Sequence, residues 1–266
     1  MSVPSDSWST GGAYDIFMGT WSRLVAKPFL EWLRPAAQSH WLEVGCGTGA
    51  LTQAICKLSR PASIVACDPS PQFVSYAKNS IGGCPATFII AGSDDLPRRE
   101  GGFDLAVSGL VLNFLPQPAQ AVRSMRDRIR VGGLLAAYVW DYEEGMELLR
   151  AFWDEAVALA PSAADLAERH RFPICRPKAL NELFGQAGLG AIEVRPFEIA
   201  IVFRDFDAYW SPFLGGTGPA PAYVESLDPD ARTELRNRLK ARHPPSADGS
   251  IRVATRAFGI RGLVVN

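Results

Sequence analysis

Hydrophobic and polar positions in the first 142 residues form short apolar runs separated by segments with helical spacing. The apolar runs predict buried strands at 41–44, 63–68, 87–91, 103–108 and 134–140. Helices are predicted between them at 50–58, 71–78 and 118–130. Gly132 and Gly133 are interpreted as the stop of the last helix. Strands and helices that alternate in this order indicate a parallel α/β sheet with right-handed crossovers.

The flanking parts of the chain are less regular. Helical spacing at 14–33 predicts a helix before the first strand, with Phe17, Leu24, Phe29 and Leu33 as apolar anchors and Pro28 as a kink or break. After the fifth strand, helices are predicted at 146–159, 177–187, 205–213 and 228–242, and strands at 191–202 and 251–264. About 45 residues separate these last two strands, which predicts an inserted helical cap. Aromatic cap residues such as Phe152, Trp153, Tyr209 and Trp210 suit either its core or the walls of a pocket.

A glycine-rich turn joins the first strand to the helix that follows it. Trp41 to Val44 is the strand, Gly45, Gly47 and Gly49 form the turn, and the helix begins at Ala50. Glycine allows positive φ and close approach of the backbone to a ligand. A strand, a glycine turn and a helix start together predict a small-molecule site in the crevice at this edge of the sheet.

Asp68 ends the second strand, about 20 residues after the glycines. An acidic residue at that distance is typical of contacts to ribose hydroxyls, because both carboxylate oxygens can accept from a vicinal diol. A role in capping the helix from Ser70 onward is compatible with this one.

The identity of the ligand depends on the residues around the turn. Gly45-x-Gly47-x-x-Ala50 fits the loose dinucleotide pattern, but Glu43 stands two residues before the first glycine, and Gly49 comes one position early. A carboxylate here would repel a diphosphate and would hold an ammonium group directly or through water. Glu43-x-Gly45-x-Gly47-x-Gly49 resembles motif I of the class I methyltransferases that use S-adenosylmethionine (SAM).

This resemblance implies an α/β fold: a Rossmann-like, seven-stranded, mostly parallel sheet with helices on both faces. An N-terminal helical segment and helical cap insertions would complete a single methyltransferase domain over residues 1–266. Its expected parts are an N-terminal cap helix at 13–35, a SAM-binding core at 36–142, a substrate cap at 143–173 and 204–249, and the rest of the sheet at 174–203 and 250–266. The implied activity is transfer of the SAM methyl group to a small molecule, with S-adenosylhomocysteine as product.

The segment from Tyr14 to Arg23 resembles the N-terminal helix of a subgroup, the ubiquinone/menaquinone-biosynthesis-like small-molecule methyltransferases. In that group the helix closes over SAM, which implies contacts from Tyr14 and Arg23 to the methionyl end. A surface ion pair is the alternative for Arg23.

The loop after the third strand departs from the family. Gly92 stands where the resemblance expects an aspartate that accepts from the adenine amino group. Asp94 or the backbone of Ser93 would have to make that contact instead.

The segment after the fourth strand, Leu110 to Asn113, is expected against the transferring methyl group. It lacks the Asn/Asp-Pro-Pro-Tyr/Phe motif, which weakens nucleic acid or protein glutamine as the acceptor. A general base is optional because SAM is already activated, and the candidates are Asp141, Tyr14 and His170. The predicted cofactor-binding residues are Tyr14, Arg23, Glu43, Gly45, Cys46, Gly47, Gly49, Asp68, Pro69, Gly92, Ser93, Asp94, Ser108, Leu110 and Asn113.

The composition of the chain limits which kinds of binding partner are expected. A formal net charge of -1 over 266 residues makes neither nucleic acid nor a membrane surface an expected partner. No apolar run approaches the roughly 20 residues of a membrane span, and the N-terminus lacks the pattern of a signal peptide. Five cysteines without a CxxC pair predict reduced cytoplasmic thiols, and only three histidines argue against a metal site. A monomer or homodimer is expected.

Two other functions remain compatible with the sequence. One is a SAM-binding protein without transfer activity, and the other is an NAD(P)-dependent oxidoreductase. No sequence motif identifies the methyl acceptor or its accepting atom, because the fold does not determine function.

Overall fold

The computed structural model describes residues 20–215 and 218–266. The chain divides into two compact units. Within the described residues, the sheet unit comprises 20–140, Ile174–Phe197 and Ala257–Asn266, and the helical unit comprises Asp141–Pro173, 198–215 and 218–256. The single-domain boundaries expected from the sequence remain a prediction.

Seven strands form one sheet. They are β1 (His40–Val44), β2 (Ser63–Asp68), β3 (Ala86–Ile90), β4 (Phe103–Gly109), β5 (Ile129–Trp140), β6 (Leu189–Phe203) and β7 (Ile251–Val264). Their order is β3-β2-β1-β4-β5-β7-β6, and β7 runs antiparallel to β5 while β1 to β5 pair in parallel. The predicted Rossmann-like, mostly parallel sheet is confirmed.

Ten α-helices connect the strands within the described residues. They are α1 (Thr20–Leu33), α2 (Ala50–Ser59), α3 (Pro71–Ser80), α4 (Pro118–Arg126), α5 (Glu147–Leu159), α6 (Glu168–Arg171), α7 (Pro177–Gln186), α8 (Phe206–Trp210), α9 (Pro219–Ser226) and α10 (Pro229–Arg242). The structure has a helix at α9, where the Gly- and Pro-rich composition had predicted only a connection. Two proline residues, Pro219 and Pro221, lie in its first turn, where proline is tolerated, so the composition hid a helical segment.

Helix α1 belongs to the core of the sheet unit. The Phe29 ring meets Tyr138 of β5 edge-on, with 4.8 Å between centroids, and Phe197 of β6 at 6.4 Å. The helix continues through Pro28, so of the kink or break predicted there the break is wrong. Leu24 is 44% exposed and is not the apolar anchor that its spacing suggested. Residues 14–19, including Tyr14 and Phe17, lie outside the described part.

The connection from α4 to β5 differs from the prediction. The helix ends at Arg126, and β5 already begins at Ile129, so Gly132 and Gly133 lie inside a strand. Ile129 pairs with Phe103 of β4, and the register shifts before Leu105 pairs with Leu134. Gly133 is required there, because an added Cβ would lie 2.7 Å from the carbonyl oxygen of Asp104. These glycines mark a bulge, where the sequence alone suggested a helix stop.

A disulfide bond joins Cys56 of α2 to Cys84 in the connection between α3 and β3, with 5.7 Å between the Cα atoms. This corrects the prediction that all five thiols are reduced. Cys46, Cys67 and Cys175 are free and buried.

The helical unit has an aromatic core. Phe152 of α5 stacks on Phe213 at 4.6 Å and meets Trp153 edge-on at 5.0 Å, while Tyr209 meets Phe203 at 5.5 Å. Phe152, Trp153, Tyr209 and Trp210 are all buried. Of the two roles left open for these rings, the structure shows the core.

No helix within the described ranges is both long enough and apolar enough to cross a lipid bilayer.

Candidate functional site

The glycine turn has positive φ at all three glycines: +76° at Gly45, +51° at Gly47 and +86° at Gly49. The N–H groups of Gly45 and Cys46 both donate to the carbonyl oxygen of Cys67, at 2.8 and 3.0 Å. These bonds fasten the turn to the end of β2. The conformation explains the glycines, because other residues rarely adopt this region of φ.

The three glycines face different surroundings. An added Cβ at Gly45 would lie 2.5 Å from a methyl group of Val111, and one at Gly49 would press on Ile81. At Gly47 it would meet no atom within 4 Å. Gly45 is therefore needed for packing and Gly49 fits closely against Ile81, whereas the backbone at Gly47 borders open space where a ligand can approach.

Asp68 lies against this open backbone. Its Oδ2 accepts from the N–H of Gly47 and its Oδ1 from the N–H of Ser70, both at 2.9 Å. Burial raises the pKa of Asp68, although these two hydrogen bonds act in the opposite direction. Each carboxylate oxygen has a further acceptor position, so a vicinal diol can still be bound. The cap of α3 is the hydroxyl of Ser70, which accepts from Phe73 at 3.3 Å, and not Asp68.

Glu43 is buried beneath the turn. The hydroxyl of Thr52, in the first turn of α2, donates to its Oε2 at 2.6 Å. Removal from water raises the pKa of Glu43 to about 8, although the hydrogen bonds from Thr52 lower it. Sequence analysis missed Thr52, and the available signal was a hydroxyl residue in the helix that follows the acidic strand and its glycine turn.

The ends of the neighbouring strands complete this edge. Val44 pairs with Cys67, Asp68 pairs with Ile90, and the hydroxyl of Ser108 donates to the carbonyl oxygen of Val44 at 2.9 Å. Because parallel strands end at the same edge, the glycine turn, Asp68, and the segments after β3 and β4 lie side by side.

Two of these segments show features of a binding surface. An added Cβ at Gly92 would meet nothing within 4 Å, as at Gly47. Leu110 is buried with φ of +61°, and the buried Nδ2 of Asn113 has no hydrogen-bond partner. Left-handed backbone at a residue other than glycine is costly and occurs often at functional sites. Asp94 is exposed and accepts from Gln120 at 3.3 Å.

This arrangement fits a nucleoside with a charged tail. Two stretches of open backbone flank a buried carboxylate that has free acceptor capacity. Residues 42–137, which contain all of these groups, match the family model described as a methyltransferase domain. This region of the chain is therefore similar to a methyltransferase domain.

Related proteins match this chain over different fractions of its length. Probable tRNA methyltransferase 9B of Homo sapiens is 30% identical over 133 residues, which cover 49% of this chain and 27% of that protein. Malonyl-[acyl-carrier protein] O-methyltransferase of Paenibacillus sp. is 26% identical over 196 residues, which cover 69% of each chain. The chain thus spans about a quarter of the first relative and about two thirds of the second.

A similar fold also occurs in solved structures. Phosphoethanolamine N-methyltransferase 2 of Haemonchus contortus, in complex with S-adenosyl-L-methionine, is 12% identical with a TM-score of 0.58. The similarity covers 96% of this chain and 57% of that one.

The candidates for a general base differ in environment. In the helical unit, Asp141 is buried and accepts from Arg256 Nε at 2.7 Å and from the N–H groups of Glu143 and Glu144. These partners give Asp141 a structural role. His170 is exposed, and its Nδ1 lies 2.9 Å from the carbonyl oxygen of Ala164. Tyr14 lies outside the described residues.

Proposed function

We propose that the protein binds SAM at the glycine turn and transfers its methyl group to a small-molecule acceptor. The observation that carries this proposal is the open backbone at Gly47 beside the buried carboxylate of Asp68, within the region that is similar to a methyltransferase domain. SAM supplies an activated methyl group on a sulfonium. The protein therefore has to orient the reactants and exclude water, and strong acid–base chemistry is not required.

The proposed contacts follow the geometry of the sheet edge. Asp68 accepts from the ribose hydroxyls, and the open backbone at Gly92 lies beside the base. Glu43 is buried and holds the turn through Thr52. When it is ionised, above its pKa of about 8, it attracts the methionyl ammonium through the electric field or through water. Leu110 and Asn113 line the path of the methyl group.

The remaining proposed contacts rest on family resemblance. They are the roles of Tyr14 and Arg23 at the methionyl end, and Arg23 is exposed on α1. A cytoplasmic location and a monomer or homodimer also remain predictions, and the Cys56–Cys84 disulfide weighs against a reducing environment.

Calorimetric titration with SAM, S-adenosylhomocysteine and NAD⁺ tests the proposed ligand. We expect both sulfur nucleosides to bind and NAD⁺ to fail. Transfer of a labelled methyl group from SAM to members of a small-molecule library then separates an enzyme from a SAM-binding protein. Binding of NAD⁺ alone would exclude the proposal.

Gly47→Ala is expected to weaken SAM binding while leaving the fold nearly intact. The new methyl group meets no protein atom but occupies the surface where the ligand approaches. We expect affinity to fall at least about tenfold, and the free energy of unfolding to fall by about 1–2 kcal/mol because of the left-handed backbone. Titration calorimetry and urea denaturation measure the two effects.

Gly45→Ala is the matched control, since its methyl group collides with Val111 and should cost more stability than Gly47→Ala. Full SAM affinity in folded Gly47→Ala would show that the ligand does not approach this backbone.

Asp68→Ala should weaken SAM binding by about 1–3 kcal/mol, because the ribose hydroxyls would lose their acceptor. Some stability should also be lost, since Asp68 holds the N–H groups of Gly47 and Ser70. Asp94→Ala tests the proposed adenine contact separately. If Asp68→Ala folds and binds SAM as the parent does, the ribose assignment is wrong.

A further inference from the structure

A second cleft lies at the opposite edge of the sheet from the glycine turn. Its volume is about 460 Å³, within the range of small-molecule sites. The lining comes from the α1–β1 connection and from the first residues of β4 and β5, where these parallel strands begin. Residues near the start of β6 and the end of β7 close it. All of these residues belong to the sheet unit.

The lining carries more positive than negative charge. Arg34, Arg130 and Arg261 face two carboxylates, Asp104 and Glu193. The Asp104 carboxylate accepts from Arg130 Nε at 2.7 Å and from the N–H of His40 at 2.8 Å. Burial acts to raise the pKa of Asp104, but these bonds outweigh it and the pKa is lowered. Asp104 is therefore an ionised group that already has its donors.

Glu193 is occupied in the same way. Its Oε2 accepts from Arg261 Nη2 at 2.6 Å, and its Oε1 accepts from the indole N–H of Trp32 at 3.1 Å. The hydrogen bond from Arg261 lowers the pKa of Glu193. Neither carboxylate is left to neutralise a further cation.

Arg34 is that further cation. Within residues 20–215 and 218–266, its guanidinium has neither an ion pair nor a hydrogen bond, and the Nη2 of Arg130 also lacks a partner. Arg34 follows α1 with φ of +48°, a position that usually takes glycine. Ala191, also in the lining, has the same φ. Two residues with costly left-handed backbone thus border one cleft.

We propose that this cleft binds a small anion with an apolar body, such as a carboxylate or a phosphate monoester. The anionic head pairs with Arg34 and with the free Nη2 of Arg130, since a guanidinium matches both kinds of oxyanion. The apolar body lies on Leu33, Leu105 and Leu134, which are also in the lining. The site is separate from the proposed SAM site and does not depend on it.

Hexyl phosphate and hexanoate are suitable probes, with 1-hexanol and inorganic phosphate as partial probes that lack the charge or the chain. We expect one or both amphiphilic anions to bind the parent protein at least about tenfold more tightly than either partial probe. The tighter of the two identifies the preferred head group. In ¹⁵N-labelled parent protein, the amide signals of Gly132, Gly133 and Ala191 should shift on titration.

Arg34→Gln should weaken binding of the tighter probe at least about tenfold, because a charge-assisted contact is lost. Arg60→Gln is the matched control: Arg60 is also an exposed arginine after a helix, with φ of +46°, but it lies outside the cleft. It should bind as the parent does. Saturation with S-adenosylhomocysteine should leave probe binding unchanged.

Several results would overturn the proposal. Inorganic phosphate that binds as tightly as hexyl phosphate would indicate a nonspecific basic surface. Equal losses in Arg34→Gln and Arg60→Gln would have the same meaning. Displacement of the probe by S-adenosylhomocysteine, or shifts in the parent protein that avoid Gly132, Gly133 and Ala191, would place the anion elsewhere. The shifts require no variant, so they decide the question even if Arg34→Gln fails to fold.

Discussion

Glu43→Gln should gain stability relative to the parent protein as the pH rises from 5 to 8. The carboxyl has a pKa of about 8 in the folded protein, against an ordinary value of 4.5. Between pH 4.5 and pH 8 the folded state therefore keeps a proton on Glu43 that the unfolded state releases. The stability that this proton contributes is complete below pH 4.5, and it is lost as the pH rises towards 8.

The expected size follows from that window. At 1.36 kcal/mol for each pH unit, the parent loses about 4 kcal/mol between pH 5 and pH 8, relative to the variant. Glutamine keeps the shape of the side chain and can still accept from Thr52. Urea denaturation of both proteins at several pH values measures the difference.

Glu31→Gln is the control, since Glu31 is exposed and its only described ion pair is with Lys27 on the surface. It should follow the parent at every pH. A difference between Glu43→Gln and the parent that stays constant with pH would show that Glu43 is ionised throughout.

Removal of the Cys56–Cys84 disulfide should be the second large effect. The bond closes a loop with a sequence separation of 28 residues, and the chain-entropy model assigns about 3.6 kcal/mol of stabilisation to such a loop. A Cys56→Ser/Cys84→Ser variant should lose roughly that amount in urea denaturation under oxidising conditions.

The parent protein supplies the control. A reductant should lower its stability to that of the variant and should leave the variant unchanged. Thiol titration of the denatured, unreduced parent should count three free thiols, from Cys46, Cys67 and Cys175. A count of five, with no effect of reductant, would contradict the bond.

The aromatic core of the helical unit limits how the predicted substrate cap can be tested. Deletion of 205–249 would remove Tyr209 and Phe213, which pack in the core of the helical unit. Phe152 would lose its stacking partner, so loss of methyl transfer could reflect unfolding. Point substitutions on exposed cap residues are better tests of substrate contact.

Local patterns in the sequence determined most of the sheet. The predicted limits of β2 and β7 agree with the structure at both ends, because apolar alternation and breaker residues act over a few neighbours. The glycine turn was also predictable, since positive φ at Gly45, Gly47 and Gly49 is a local requirement. Asp68 could be placed beside it because the ends of adjacent parallel strands meet at one edge.

Tertiary structure decided features in which distant segments meet. Gly132 and Gly133 suit a helix stop or a bulge equally, and the pairing of Ile129 with Phe103 selects the bulge. The partner of Cys56 depends on how α2 lies against the α3–β3 connection.

The same reason applies to electrostatics and burial. The high pKa of Glu43 follows from its burial under the turn, and burial depends on every element packed around it. The lining of the cleft that contains Arg34 comes from five separate stretches of chain. No sequence pattern within one stretch predicts this cleft. Residue spacing indicates a single strand or helix, whereas a cleft depends on how several strands and helices pack together.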